Sequence, residues 1–501
     1  MKSIKSGVIV GGNMPPTTES PAFSSGSKAG RAKPEVGITV SFLVVLHGGY
    51  PRREVAGHGS ADDEGLARHL AGPGCRSASR CRFRSRRRPA SVTGDTVLDA
   101  TVDPNQLEVI MTRNIDGSGI DRVLQDAVQG GAVPHVAAIA ADADGVFYEG
   151  GAGVRIAGES DDPVTTSTHF RIMSMTKMVA TTAALQQVER GQLDLSAPVE
   201  QYVPEFADVK VLDGFDGDEP ILRDPASKAT VHQLVTHTSG LGYWFWNDQL
   251  VTYEAATGVP NVVPGTMEAF NAPLVADPGT QYVYGINTDW LGRVVEAVAG
   301  TPLDVVIREN ITGPLGMADT AFILDEARYA NAVTVHVRGE DGGWVSAGEI
   351  LNQSPEWYAG GHGLYSTPRD YIRFERALLR GGELDGARIL SQATVDAAFS
   401  NQIGEIDFPA EIPTADPAIT DTMYAGRGYK WGYGLLLNTE DVPGRRRAGT
   451  GAWAGLFNTH FFIDRATGIA ASIYTNSLPF IAQDDAWKMY VDFEEALYAA
   501  L

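Results

Sequence analysis

Cysteine is almost missing from this chain. Its 501 residues hold two, Cys75 and Cys81, both near the start, so neither a disulfide nor a zinc–thiolate site falls in the remaining four fifths. Long apolar runs are missing as well. Beyond residue 95 none is long enough to cross a bilayer, and the one early run, Val36 to Leu46, is too short to do so. That run is far from the N-terminus and no small-residue cleavage site follows it, so a cytoplasmic protein with no membrane partner is expected. No Gly-x-Ser-x-Gly elbow and no nucleotide-binding glycine loop is present.

Basic charge is scarce after the opening segment. Residues 1–94 carry 15 Lys and Arg against 6 Asp and Glu, whereas residues 95–501 carry 25 against 56, a change from +9 to −31. The acidic part is therefore unsuited to a nucleic-acid partner. The opening segment is rich in Ser, Gly, Pro and Arg and runs through Arg84-Ser85-Arg86-Arg87-Arg88 without helical or strand periodicity. No aromatic residues interleave with that run, so residues 1–105 read as a disordered basic tail or an upstream extension. The folded domain is expected over 106–501.

Within that domain the punctuation is regular. A short amphipathic helix, Ile120 to Val128, leads to a strand from Val136 to Ala141, an Asp-Ala-Asp-Gly turn at 142–145 and a second strand from Val146. Between about 195 and 370 the pattern is helices and long loops. Strands return at Gly432 to Leu437, Leu456 to Asp464 and Gly468 to Thr475, followed by an amphipathic helix from Gln483 to Leu501. Strands at both ends with helices between them predict one antiparallel sheet built from the two ends, covered by helices, with an inserted helical subdomain.

The residues with the clearest chemistry are Ser174-Met175-Thr176-Lys177, at the head of a long apolar stretch from Met178 to Val188 that ends at Arg190-Gly191. Ser-x-x-Lys arises by chance about once in a chain of this length, and Ser25-Gly26-Ser27-Lys28 is such a match in a segment without helical pattern. Position separates the two. On a helix, residues i and i+3 lie roughly 60° apart, so the Ser174 hydroxyl and Lys177 amine project from one face. A serine needs a base to become a nucleophile, and a lysine becomes one when burial or a nearby cation lowers its pKa. Amides at the helix start suit an oxyanion over Ser174. The alternative from these four residues alone is an N-capping serine followed by a solvated lysine. His232 and His237 are five apart with no carboxylate to complete a set, so neither a metal site nor a cofactor is expected.

Four further segments follow Ser174 in order: Thr230 to Leu241 (TVHQLVTHTSGL), Pro278-Gly279-Thr280 with Tyr284, Pro314 to Thr320 (PLGMADT), and Gly360 to Thr367 (GGHGLYST). Together they resemble the serine β-lactamase-related hydrolases: class C β-lactamases, D-alanyl-D-alanine peptidases and, most closely, the family VIII carboxylesterases. The resemblance covers roughly residues 115–500. It implies a mixed α/β (α+β) fold of β-lactamase/transpeptidase type, with the active site between sheet and helical subdomain.

The resemblance further implies that Ser174 is the acylated nucleophile, Lys177 its base and Tyr284 the proton relay, a core tyrosine being the alternative. Sharing a proton with a lysine would lower the phenol's pKa. Asn287 falls one residue late for the family's Tyr-x-Asn, a departure that favours the esterases. Gly449-Thr450-Gly451 stands where lactamases and peptidases have Lys-Thr-Gly, so glycine replaces the cation, while Trp453-Ala454-Gly455 resembles the Trp-Gly-Gly of the esterases. The Ala452 and Ser174 amides are expected to form the oxyanion hole. Trp453, Gly455, Thr450, Asn287 and His362 are expected to contact substrate, with helical-lobe packing as the alternative for Trp453 and a structural turn for His362. Arg445, Arg446 and Arg447 are the candidates for a substitute cation. The resulting expectation is a cofactor-free hydrolase of short-chain, small-molecule carboxylic esters. The rivals are a β-lactamase or D-alanyl-D-alanine carboxypeptidase and a non-catalytic penicillin-recognising protein.

Overall fold

The computed structural model describes residues 113–501. The expected basic tail, its arginine run and both cysteines lie outside the described residues, as does the start of the expected domain.

Seven strands form one antiparallel sheet. Across it run Tyr429–Trp431, Leu436–Asn438, Gly451–Gly455, Thr459–Asp464, Ile469–Tyr474, His135–Asp142 and Val146–Gly153. The two ends of the described chain meet where Ile139 faces Ser472. Every residue of His135–Asp142 is buried, because helices cover both faces of the sheet and neither face needs to be polar. On one face Ser118–Gln129 and Lys488–Ala500 cover Ala138, Ala140, Phe462 and Ile473. Phe493 and Leu497 of the second helix are fully buried there, and each contributes about 1.5–3 kcal/mol by leaving water. The helix Pro368–Leu379 lies on the other face against Ile139, Phe461 and Tyr474. Among the described residues no helix is long and apolar enough to cross a membrane.

Three predicted elements differ in detail. The strand expected from Gly432 to Leu437 is instead the turn and second arm of a hairpin. A Cβ on Gly432 would lie 1.9 Å from the Ala398 carbonyl oxygen, and Gly434 has φ +76°, so this stretch bends where a strand would run straight. The strand expected from Leu456 begins only at Thr459, since Leu456–Asn458 is a three-residue hairpin loop with Asn458 left-handed at φ +57°. The C-terminal helix opens with a π-helical turn, Gln483–Trp487.

The helix that follows Ser174 spans Thr176–Glu189 and is buried from Thr176 to Gln187, packed against Asn287–Ala299. Gly191 ends it at φ +68°, as the sequence predicts. Between residues 195 and 370 the chain holds helices and loops together with two small hairpins, Val211–Asp216 with Glu219–Arg223 and Val335–Arg338 with Trp344–Gly348.

Candidate active site

Ser174 lies in a 3-10 turn, Met173–Met175, immediately before the helix. Met173 takes φ +46°, a left-handed conformation that costs roughly 1–3 kcal/mol in a non-glycine residue. The surroundings hold the turn in place. The Thr459 hydroxyl donates to the Ile172 carbonyl at 3.1 Å, and Asn476 donates to the Arg171 carbonyl at 3.1 Å. Gly455 closes the contact, because a Cβ there would sit 2.3 Å from the Ile172 oxygen. The end of the Gly451–Gly455 strand is thereby fixed beside the serine.

Lys177 is only 1% exposed, yet among the described residues no carboxylate lies within ion-pairing reach of its amine. The Nζ donates to the Gly361 carbonyl at 2.9 Å, the Tyr243 hydroxyl at 3.0 Å and the Ser174 Oγ at 3.2 Å. Burial lowers its pKa to about 7, opposed by the charge of Asp289. Asp289 itself is buried and pushed up, with Lys177 opposing, and it accepts the Gly361 amide at 2.8 Å. The Tyr243 hydroxyl stands between them, 3.5 Å from Asp289 Oδ2. A neutral amine in this position gives its two N–H bonds to Gly361 and Tyr243 and turns its lone pair toward the serine hydroxyl.

Two glycines bring Tyr243 and Tyr284 together. A Cβ on Gly285 would fall 2.4 Å from the Gly242 Cα, so the two segments cross backbone to backbone beside their tyrosines. Lys177 Nζ sits 4.7 Å above the Tyr284 ring and 5.0 Å above the Tyr243 ring, within cation–π range. The Tyr284 hydroxyl accepts the Trp453 indole N–H at 2.9 Å and is close enough to Ser174 for the serine hydroxyl to favour its ionised form. Burial raises its pKa, against those two contacts. The lowering expected from a shared lysine proton is thus reversed, because the amine faces the ring and not the oxygen.

Ser174, Lys177, Tyr284 and Trp453 are therefore gathered at one place. Others named from the sequence are not. Asn287 is fully buried and spent on packing: its amide donates to the Leu241 and Val283 carbonyls and its oxygen accepts from Ser239. The Thr450 hydroxyl donates to the Arg447 carbonyl at 2.7 Å, and the residue is 1% exposed. Ala452 is paired on both sides, with Leu436 and Phe462, and its side chain faces the C-terminal helix. The strand meets the serine turn at Gly455, three residues farther on, so Trp453-Ala454-Gly455 is the segment beside Ser174 and Gly449-Thr450 lies in the turn before the strand. Gly455 acts by lacking a side chain. His362 is buried behind the centre, with Nδ1 3.7 Å from Asp289 and no hydrogen bond to that atom. Burial lowers its pKa to about 3, which keeps it neutral.

The three arginines are committed elsewhere. Arg446 pairs with Glu494 at 2.9 Å, Arg445 approaches the same carboxylate at 3.5 Å, and Arg447 binds Asp441 at 2.9 Å. Tyr243, Asp289 and the Gly361 carbonyl escaped the sequence reading. The available signal was an aspartate beside Trp290 and Leu291, five residues beyond Tyr284, and a Gly-Gly pair whose second member has no room for a side chain beside Asp289.

Comparison with known proteins gives the same picture. The family described as Beta-lactamase matches residues 120–494. A lovastatin esterase of Penicillium rubens is 33% identical over 365 residues, covering 70% of this chain and 90% of the relative. A monacolin J acid methylbutanoyltransferase of Aspergillus terreus is 30% identical over 362 residues, covering 67% and 83%. The crystal structure of simvastatin synthase from Aspergillus terreus superposes with a TM-score of 0.66 at 28% identity, covering 76% of this chain and 97% of that one. The antiparallel sheet, the helices on both its faces and the match over most of the described residues agree: the chain belongs to the beta-lactamase family of serine hydrolases.

Proposed function

We propose that this enzyme cleaves uncharged, short-chain carboxylic esters through an acyl-enzyme on Ser174. The observation that carries the reading is the buried, neutral-leaning Lys177 amine at hydrogen-bond distance from the Ser174 hydroxyl. Ser174 Oγ attacks the ester carbonyl while its proton passes to Lys177 Nζ. The Tyr284 phenol, kept protonated by burial, gives its proton to the leaving alkoxide, and the Lys177 ammonium restores it by swinging from the ring face, where it lies 4.7 Å from the centroid, to the charged phenolate oxygen. Water then enters by the reverse relay and releases the acid. The Ser174 amide and the amide following Gly455, at Leu456, hold the oxyanion, in place of the Ala452 amide suggested by the motif.

The preference for neutral substrates rests on Trp453. Its indole stands beside Tyr284, and Arg445, Arg446 and Arg447 are bound to carboxylates, so none of the three is free to hold a substrate carboxylate. Losing one charge-assisted hydrogen bond costs a carboxylate roughly 1.5–3 kcal/mol, about ten- to over a hundredfold in affinity. A neutral ester makes no use of it. Likeness to a named esterase supports the same class. The test is a panel of p-nitrophenyl acetate and butyrate, nitrocefin and D-Ala-D-Ala peptides. Higher kcat/KM on the esters is expected, and equal or better turnover of a cephalosporin would return the chain to the lactamase branch.

The likeness to a methylbutanoyltransferase favours one second reading, transfer of the acyl group to an alcohol in place of water. Product partition between acid and new ester, measured with an added alcohol, separates the two.

A further inference from the structure

Within the segment Thr230 to Leu241, His237-Thr238-Ser239 takes no part in the chemistry above, yet it holds the chain around Tyr284 at three points. The His237 carbonyl accepts the Val283 amide at 2.8 Å, and the Thr238 carbonyl accepts the Gly279 amide at 2.7 Å. The Ser239 hydroxyl donates to Asn287 Oδ1 at 2.5 Å. His237 itself is left-handed, at φ +55°. That conformation is uncommon outside glycine, and in a residue only 1% exposed the surrounding contacts must enforce it. Its effect is to turn the imidazole into a slot between two rings. The imidazole lies 4.9 Å from Tyr284 and 5.3 Å from Trp431, a fully buried residue of the central sheet. Its Nδ1 has no hydrogen-bond partner, as expected of a ring that acts through its shape. Burial, with the charge of Lys177 adding to it, holds its pKa well below the ordinary histidine value, so it is a neutral spacer beside the amine. The Tyr284 hydroxyl takes the Trp453 N–H, and the body of that side chain is held by ring contacts, of which His237 and Trp453, each at 4.9 Å, are the nearest.

We propose that His237 is a positioning residue for the proton relay: its imidazole, wedged between Trp431 and Tyr284, sets the angle at which the Tyr284 phenol reaches the leaving oxygen. The inference rests on the reading of Tyr284 as the group that protonates the leaving alkoxide, and it assigns the element that aims that group. A displacement of about 1 Å in a reacting group can cost about a hundredfold in rate, so a wedge of one ring is a sufficient device.

The test compares two esters of one acid on the full-length enzyme. Ethyl butyrate needs its leaving alkoxide protonated, whereas p-nitrophenolate is stable enough to leave p-nitrophenyl butyrate as the anion. In both, kcat/KM reports the acylation step. His237→Asn and His237→Gly each remove the ring and accept a left-handed backbone, and two are used so that the readout survives the loss of either. With the fold checked by circular dichroism, each should lower kcat/KM for ethyl butyrate roughly ten- to a hundredfold more than for p-nitrophenyl butyrate. In a Tyr284→Phe background the same substitutions should add no selective loss, because the acid they aim is gone. His237→Phe keeps a ring in the slot and should retain most of the wild-type ratio. An equal fall on both esters, no fall on either, a selective loss that persists in Tyr284→Phe, or a loss in His237→Phe as large as in His237→Asn overturns the proposal. If Tyr284→Phe alone shows no selective loss on ethyl butyrate, the relay reading fails instead, and a wild-type enzyme inactive on both esters sinks the ester-hydrolase reading.

Discussion

Two buried basic side chains lie on opposite sides of the central sheet, and each has a buried carboxylate nearby. Arg446 grips Glu494 with both ends of its guanidinium, at 2.9 and 3.0 Å, and adds the Tyr490 hydroxyl at 2.8 Å. Burial alone would lower its pKa, but Tyr490 and Glu494 hold it above the ordinary arginine value. Lys177 has Asp289 in the same neighbourhood without contact, with Tyr243 and Gly361 interposed, and burial carries its pKa down. A direct bidentate pair makes a permanent charge; a carboxylate held one residue away leaves an amine that can gain and lose a proton near neutral pH. The first arrangement stabilises a fold, and the second suits a base.

The comparison is broken most severely at the base's own partner. Ser174→Ala should abolish ester turnover with the fold retained, and Lys177→Ala should cost nearly as much because the two act as one unit. Circular dichroism and initial rates measure both, and wild-type rates in either variant would remove these residues from the chemistry. Tyr284→Phe removes only the hydroxyl that accepts the Trp453 N–H, so kcat should fall by roughly two to four orders of magnitude with little change in KM. An unchanged kcat would make Tyr284 a packing residue.

On the other side of the sheet the effect should fall on stability. Arg446→Met leaves the buried Glu494 only the longer contact to Arg445 at 3.5 Å, at a cost of up to about 3–5 kcal/mol in unfolding free energy measured by denaturant titration. The double variant with Glu494→Gln should recover much of it, and neither should move the pH profile of the folded enzyme. A smaller effect is expected from Asp289→Asn. Asp289 raises the lysine's pKa, so removing its charge should shift the acid limb of kcat/KM to lower pH. A shift to higher pH would contradict the assigned coupling.

How much of this was legible in the sequence depends on whether the cause was local. The helix after Ser174, the paired terminal strands and the stop at Gly191 follow from periodicity and turn chemistry, and they stand as expected. The register of the third motif did not. Gly449-Thr450-Gly451 matches a familiar pattern, but Gly455 is the residue whose missing Cβ admits the Ile172 carbonyl, a contact between segments far apart in sequence. Asn287 misled for the same reason: its polar atoms are consumed by Ser239, Leu241 and Val283, partners that no spacing rule reveals. Tyr243 entered the site through the Gly242–Gly285 crossing, again a long-range event.

The central claim is that Ser174 is activated by a lysine that is neutral near pH 7. Its most direct test is the rate of covalent labelling by a fluorophosphonate as a function of pH, with the modified peptide mapped by mass spectrometry. The account predicts a single adduct on Ser174 whose rate rises with pH, levels off above about 7, and has an acid limb that moves downward in Asp289→Asn. An adduct on another residue, or a rate that climbs only near the ordinary pKa of lysine, about 10.4, would contradict it.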